Sequence, residues 1–307
     1  MTRCRVHVLF ESSSDGRPYA SSHIRLLRPL THPALHHAVQ LSSGPALAAE
    51  EVDIVIVDRL WRSDVTLDGA AALIEEIRQR GARLLYSLDD NLLALKGERK
   101  DFDLTQARQD VLMAFLQHAD LVVVSTDRLQ DVIRPFSRNT LVIPNYLDER
   151  LLAGGRDRAR GSVHIDSGVL RRQAGRMTIG YMGTRTHDVD LRMIAPALRN
   201  VCNRHDGRVA VELVGVMTRS ETLSLLHGLP CRVIEPGAVY TEYPAFLPWF
   251  VATCRWDIAL APLADTELNR CKSDIKFLDY AALGAAGLYS RVPAYAETVQ
   301  HGITGLL

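Results

Sequence analysis

Short apolar runs alternate with helical spacings almost from one end of the chain to the other. In the first half the runs fall at residues 5–10, 52–57, 83–88, 121–125 and 141–143. The clearest helical pattern between them covers 105–118, where Ala107, Val111, Ala114, Phe115 and His118 recur on one face. Alternation of this kind predicts βα units and a parallel sheet. After Leu152 the pattern stops, and residues 154–176 hold six arginines, five glycines and two acids. Alternation resumes with runs at 178–182, 209–214, 232–234, 257–261 and 287–290, and with helices predicted over 243–254 and 273–283. The pattern therefore predicts two doubly wound domains, 1–150 and 177–307, joined by a basic Gly/Arg-rich linker or loop at 151–176.

Length and composition narrow this picture only a little. A chain of 307 residues can bury two cores. Lys+Arg and Asp+Glu stand at 36 each, so net charge argues for no nucleic-acid partner. The five cysteines are scattered without zinc spacing or disulfide density, which favours a reducing, cytoplasmic compartment. No apolar stretch approaches a membrane span, so any membrane contact is expected to be peripheral.

In doubly wound sheets ligands bind beyond the carboxyl ends of strands, so the residues that follow each run carry the candidate chemistry. After 257–263 comes NRCKSDIKFLDYAALG, residues 269–284. Ser273 is expected to cap the helix, bringing Lys272 and the first free N–H groups together as an anion site. Asp279 shares a helical face with Lys276 and Lys272 at i−3 and i−7; a solvated ion pair with Lys276 is the plain alternative. After 178–182, Gly183 permits close backbone approach, Thr184 follows, and Arg185 supplies a cation, with Thr186 or Asp188 to start the helix. An exposed arginine beside a glycine turn would read the same way.

Asp89 and Asp90 end the run RLLYSLDD and can orient a sugar hydroxyl, act as a base or bind a metal, or one of them can cap the segment from Asn91. The serine-rich turn 12–16 can approach a ligand or be an ordinary surface turn, and Ser21 or Ser22 can cap the next helix. His32, His36 and His37 lack a third partner for a metal, and Pro33 works against a helix there. Cys271 reads as a loop residue rather than a nucleophile.

Several of these segments together resemble the family-4 (glycosyltransferase group 1) type of glycosyltransferase. VIPNYLD, residues 142–148, is similar to that group's interdomain segment, and GYMGTRTHDVDL to the first strand and glycine turn of its donor domain. DIALAPL, followed by KSDIKFLDYAALGAAGLYSRVPAYAETVQHGITGLL, is the strongest match. The resemblance implies an α/β fold of GT-B architecture, two Rossmann-like doubly wound domains facing a cleft. It assigns Asp279 to the nucleotide ribose and Arg185 with Lys272 or Lys276 to the diphosphate. It places Asp89 near the donor sugar, where many relatives have histidine, and Asp90 on the following acid. The nucleotide site would then comprise Gly183, Thr184, Arg185, Lys272, Ser273, Lys276 and Asp279, with Asp89, Asp90, Arg185 and Lys272 acting in catalysis. The group's first paired acid falls at Cys271, which puts donor-sugar contacts in question more than nucleotide binding.

The expected activity is sugar transfer from a nucleotide-diphosphate sugar to an acceptor that is a glycan, lipid-linked or small molecule. Neither a metal nor a separate cofactor is expected, and retention follows from the resemblance alone. A sugar-nucleotide epimerase and a non-catalytic nucleotide-sugar-binding partner protein are the competing readings, and a manganese enzyme using Asp89 and Asp90 is a third. A chain truncated before a final crossing helix, or a shortened variant, would each explain where the match stops.

Overall fold

The structure is a computed structural model that describes residues 2–13, 15–95, 104–153, 175–183, 188–215 and 226–307. It divides the chain into two compact units. The first is Met1–Asp148 together with Glu267–Ser273, and the second is Glu149–Thr266 with Asp274–Leu307. Most of the basic segment 151–176 lies outside the described residues.

The first unit is built on a six-stranded, wholly parallel sheet. Its strands are β1 (Cys4–Leu9), β2 (Val39–Gly44), β3 (Ile54–Asp58), β4 (Arg83–Leu88), β5 (Leu121–Val124) and β6 (Thr140–Val142). They lie in the order β2-β1-β3-β4-β5-β6. The chain leaves β1 to one side and returns to β3 on the other, so the switch point lies between β1 and β3. Helices cover the central strands: Leu67–Gln79 buries Ala70, Leu73, Ile74 and Ile77, and Gln106–His118 buries Val111, Leu112, Phe115 and Leu116. Thr66 and Thr105 cap these helices through their hydroxyls, and Gly81, at φ +70°, supplies the left-handed turn after the first. The sequence pattern missed β2 because VQLSSG lies at the sheet's edge and is largely polar.

The second unit is a five-stranded parallel sheet of β7 (Met177–Met182), β8 (Val209–Val214), β9 (Cys231–Ile234), β10 (Ile258–Ala261) and β11 (Ala286–Tyr289). The order is β11-β10-β7-β8-β9, which places its switch point between β7 and β10. Its core joins Ile179, Tyr181, Val211, Leu213 and Leu260 to Leu191, Leu198 and Cys202 of the helix Asp188–Arg204. Beside it, rings succeed one another from Phe250 through Trp256, Tyr280 and Tyr289 to Tyr295, at centroid distances of 5.1, 6.0, 6.4 and 5.1 Å. Gly180 is required here, since a Cβ on it would come 1.7 Å from the Trp256 ring. That ring cannot readily yield, because its Nε1 donates to the buried Glu212 at 3.0 Å.

The helix expected over 273–283 begins later, as Ile275–Leu283, with Asp274 at its N-cap and no side-chain capping bond. Ser273 instead accepts a hydrogen bond from Asn145 Nδ2 at 2.7 Å. Neither Ser21 nor Ser22 caps the first helical stretch, which starts after Tyr19. Among the described residues no helix is long and apolar enough to cross a membrane.

Candidate functional site

In the second unit the helix Ile275–Leu283 is fixed at the switch point by its own Tyr280. The Tyr280 hydroxyl donates to Leu260 O of β10 at 2.8 Å and accepts from Met182 N of β7 at 3.2 Å, so one side chain ties both flanking strands. This places Lys276 and Asp279, both buried, beside the crevice. Lys276 Nζ lies 5.1 Å from the centroid of the Tyr181 ring, a cation–π contact. Asp279 Oδ1 accepts from the hydroxyl of Tyr243 at 2.8 Å. Burial pushes the Asp279 carboxyl up to about 7, while Tyr243 and the Lys276 charge pull it back. The solvated ion pair does not describe this arrangement, for both side chains are inside.

Gly183 closes β7, and its backbone approaches Gly215 so closely that a Cβ there would lie 2.0 Å from Gly183 O. Gly215 also has φ +103°, so both space and backbone demand glycine. Thr184 and Arg185 lie outside the described residues.

Lys272 and Ser273 are not on the helix with Lys276 and Asp279. They belong to the first unit, and Lys272 Nζ donates to Asp90 Oδ1 at 2.9 Å. Cys271 sits in the first unit's core with Leu268, and its carbonyl accepts from the Thr126 hydroxyl at 3.0 Å. Burial pushes its thiol up, away from nucleophilic character.

At the first unit's switch point a second constellation gathers. Arg59, just after β3, lies 2.7 Å from Glu11, 2.9 Å from Asp89 and 3.3 Å from Asp90. Burial opposes the Arg59 charge, but the surrounding carboxylates win and raise its pKa well above the ordinary value. Arg59 and Trp61 both hold left-handed backbone, at φ +51° and +52°, where non-glycine residues are uncommon. Asp58 Oδ2 accepts from the buried Ser22 hydroxyl at 2.5 Å, while its Oδ1 is buried without a hydrogen-bond partner. Burial, reinforced by the charge of Asp89, pushes Asp58 up to about 7. Arg25 donates to Asn145 Oδ1 at 2.9 Å and Ile143 O at 3.1 Å. In the segment after β4, Asn91 Oδ1 accepts from Ala94 N at 3.3 Å.

Glu11, Asp58, Arg59, Tyr243 and Tyr280 were not singled out from sequence. Asp58 and Arg59 directly end the run IVIV, so the rule of reading past each strand reaches them. Tyr243 carries no such signal. His32 accepts from Ala34 N and caps the short turn Pro33–Leu35. Among the described residues no group of three or more His, Cys, Asp or Glu is arranged to hold a metal ion.

The chain has solved structural counterparts. HepE of Anabaena, solved in complex with UDP, matches at a TM-score of 0.58 and 16% identity, over 99% of this chain and 85% of HepE. The fold is GT-B. A UDP-forming α,α-trehalose-phosphate synthase from Burkholderia xenovorans shares the GT-B fold at a TM-score of 0.51 and 15% identity, over 81% of this chain. The chain spans 61% of that synthase's length. No family model matches the sequence, and no curated protein does.

Proposed function

We propose that the protein is a glycosyltransferase of the family-4 type that takes a sugar from a nucleotide-diphosphate donor. The acceptor would be a glycan, a lipid-linked sugar or a small molecule. Transfer would retain the anomeric configuration and would need no metal. The observation that carries the reading is the placement of Asp279 and Lys276 at the β7/β10 switch point by Tyr280, within a GT-B fold. There Asp279 would hold the ribose hydroxyls and Lys276 would face the diphosphate, with Gly183, Thr184 and Arg185 completing the nucleotide site.

Charge developing on the leaving diphosphate would be met by Lys276 and Arg185. Lys272 and Ser273 would act from the first unit with Asp89 and Asp90, because Lys272 is bound to Asp90. Peripheral contact with anionic lipid through the basic segment 151–176 would suit a lipid-linked acceptor.

UDP, present in the HepE structure, is the first probe. Titration calorimetry should show UDP binding that weakens at least tenfold in Asp279→Ala and in Lys276→Ala, and unchanged affinity in both would overturn the site. A second reading, a nucleotide-sugar-binding partner that transfers nothing, is favoured by Cys271. This residue stands where the resemblance expects an acid, yet it is buried in the first unit's core. UDP binding without hydrolysis or transfer across a panel of UDP-sugars would select that reading.

A further inference from the structure

We propose that the cleft at the amino ends of β4, β5 and β6 is a binding site for a phosphorylated small molecule, such as a diphosphate. Such a site goes beyond sugar transfer and does not depend on it. The strands of this sheet are parallel, so their amino ends lie on the opposite side from the carboxyl ends that carry Asp58, Arg59 and Asp89. There the helices Leu67–Gln79 and Gln106–His118 end, and between them and the turns before β5 and β6 opens a cavity of about 500 Å³. Small-molecule sites are of this size. Its floor is made by the buried Ile77, Ala82 and Leu84, and its rim carries the exposed Arg78, Arg83, Arg138 and His118.

Among the described residues that line the cavity, three guanidiniums meet one carboxylate, Asp120. Asp120 is already engaged through both oxygens: Oδ1 accepts from Arg83 at 2.9 Å and Oδ2 from Leu84 N at 2.9 Å. Arg78 donates to His118 Nδ1 at 3.3 Å, an acceptor that carries no negative charge. Beside β1 and β3, by contrast, the arginines at the amino ends are met by acids. Arg5 lies 2.7 Å from both Glu51 and Asp53, and Arg80 pairs with Glu76. The dipole at a helix C-terminus attracts a cation and accounts for Arg78. It does not account for Arg83, which opens β4, or for Arg138, in the turn before β6. Planar guanidiniums hold phosphoryl oxygens in pairs, and a group with two or more negative charges matches this surplus better than a single carboxylate does.

The test titrates inorganic pyrophosphate into the intact chain by calorimetry, with UDP at saturation so that the nucleotide site is filled. Pyrophosphate should bind with a Kd below about 1 mM. Arg83→Ala and Arg138→Ala should each weaken it at least tenfold while UDP affinity stays unchanged, which also reports that each variant is folded. No binding of pyrophosphate, or an unchanged affinity in either variant, would overturn the proposal. If UDP itself does not bind, the glycosyltransferase reading fails separately. The titration is then made without UDP, circular dichroism reports folding, and the loss in the two variants still decides this site.

Discussion

At the first switch point charged groups face one another, with Arg59 between Glu11, Asp89 and Asp90 and with Lys272 on Asp90. At the second, the cation lies over an aromatic ring and the acid takes a phenol hydroxyl. Yet each crevice contains one buried carboxyl pushed up to about 7, Asp58 in the first and Asp279 in the second. Burial is the main cause in both. The neighbours then differ: around Asp58 they are divided, with Asp89 and Glu11 raising it further while Ser22 and Arg59 lower it, whereas around Asp279 both Tyr243 and Lys276 lower it. Equal shifts thus arise in unlike surroundings, so the partners of a perturbed carboxyl say more about its role than the shift does.

Removing Arg59 should break the comparison most severely. Arg59→Ala leaves three carboxylates without their shared cation, and is expected to cost about 3–5 kcal/mol in urea denaturation. A loss below about 1 kcal/mol would mean that the cluster does not depend on its centre.

The next test sharpens the likeness between the two carboxyls. A carboxyl whose folded pKa is raised keeps its proton while the unfolded chain has already lost it. Stability therefore falls as pH rises from about 4 to about 7 and is level above that. Asp58→Asn and Asp279→Asn should each remove part of this fall, making the variants more stable than the parent at pH 8 by up to about 4 kcal/mol. Denaturation at pH 5 and pH 8 measures it, and a parent whose stability rises over that interval in step with both variants would contradict the shifts.

Lys272→Ala should have the smallest effect, below about 1 kcal/mol, because Arg59 still faces Asp90 and the pair is partly solvated. A larger loss would make Lys272, rather than Arg59, the organiser of the cluster.

Much of the fold was legible because buried parallel strands are nearly continuous apolar runs. IVIV in β3 and LVVV in β5 declare themselves. The edge strand β2 did not, since only part of it is covered. At the sites, Lys276 and Asp279 were readable as one helical face by their spacing. Tyr280 was not, because its role depends on two strands far apart in the chain meeting at its hydroxyl. Lys272 was misplaced for a related reason: helical spacing was extended through Ser273, but the helix starts after Asp274. Arg59 escaped because an arginine after a strand usually signals solvent, and only folding brings it to Glu11 and Asp89.

Glu267–Ser273 belongs to the first unit although it lies deep in the second half of the sequence. Leu268 and Cys271 fill a core otherwise supplied by the first half of the chain. During synthesis this core cannot be completed when Asp148 emerges; the whole stretch from Glu149 to Thr266 must be made first. Domains ordinarily fold in the order in which they leave the ribosome. Here the first core lacks Leu268 and Cys271 until most of the second unit has been made, and a nascent chain stalled before Leu268 would expose the resulting apolar gap to misassembly.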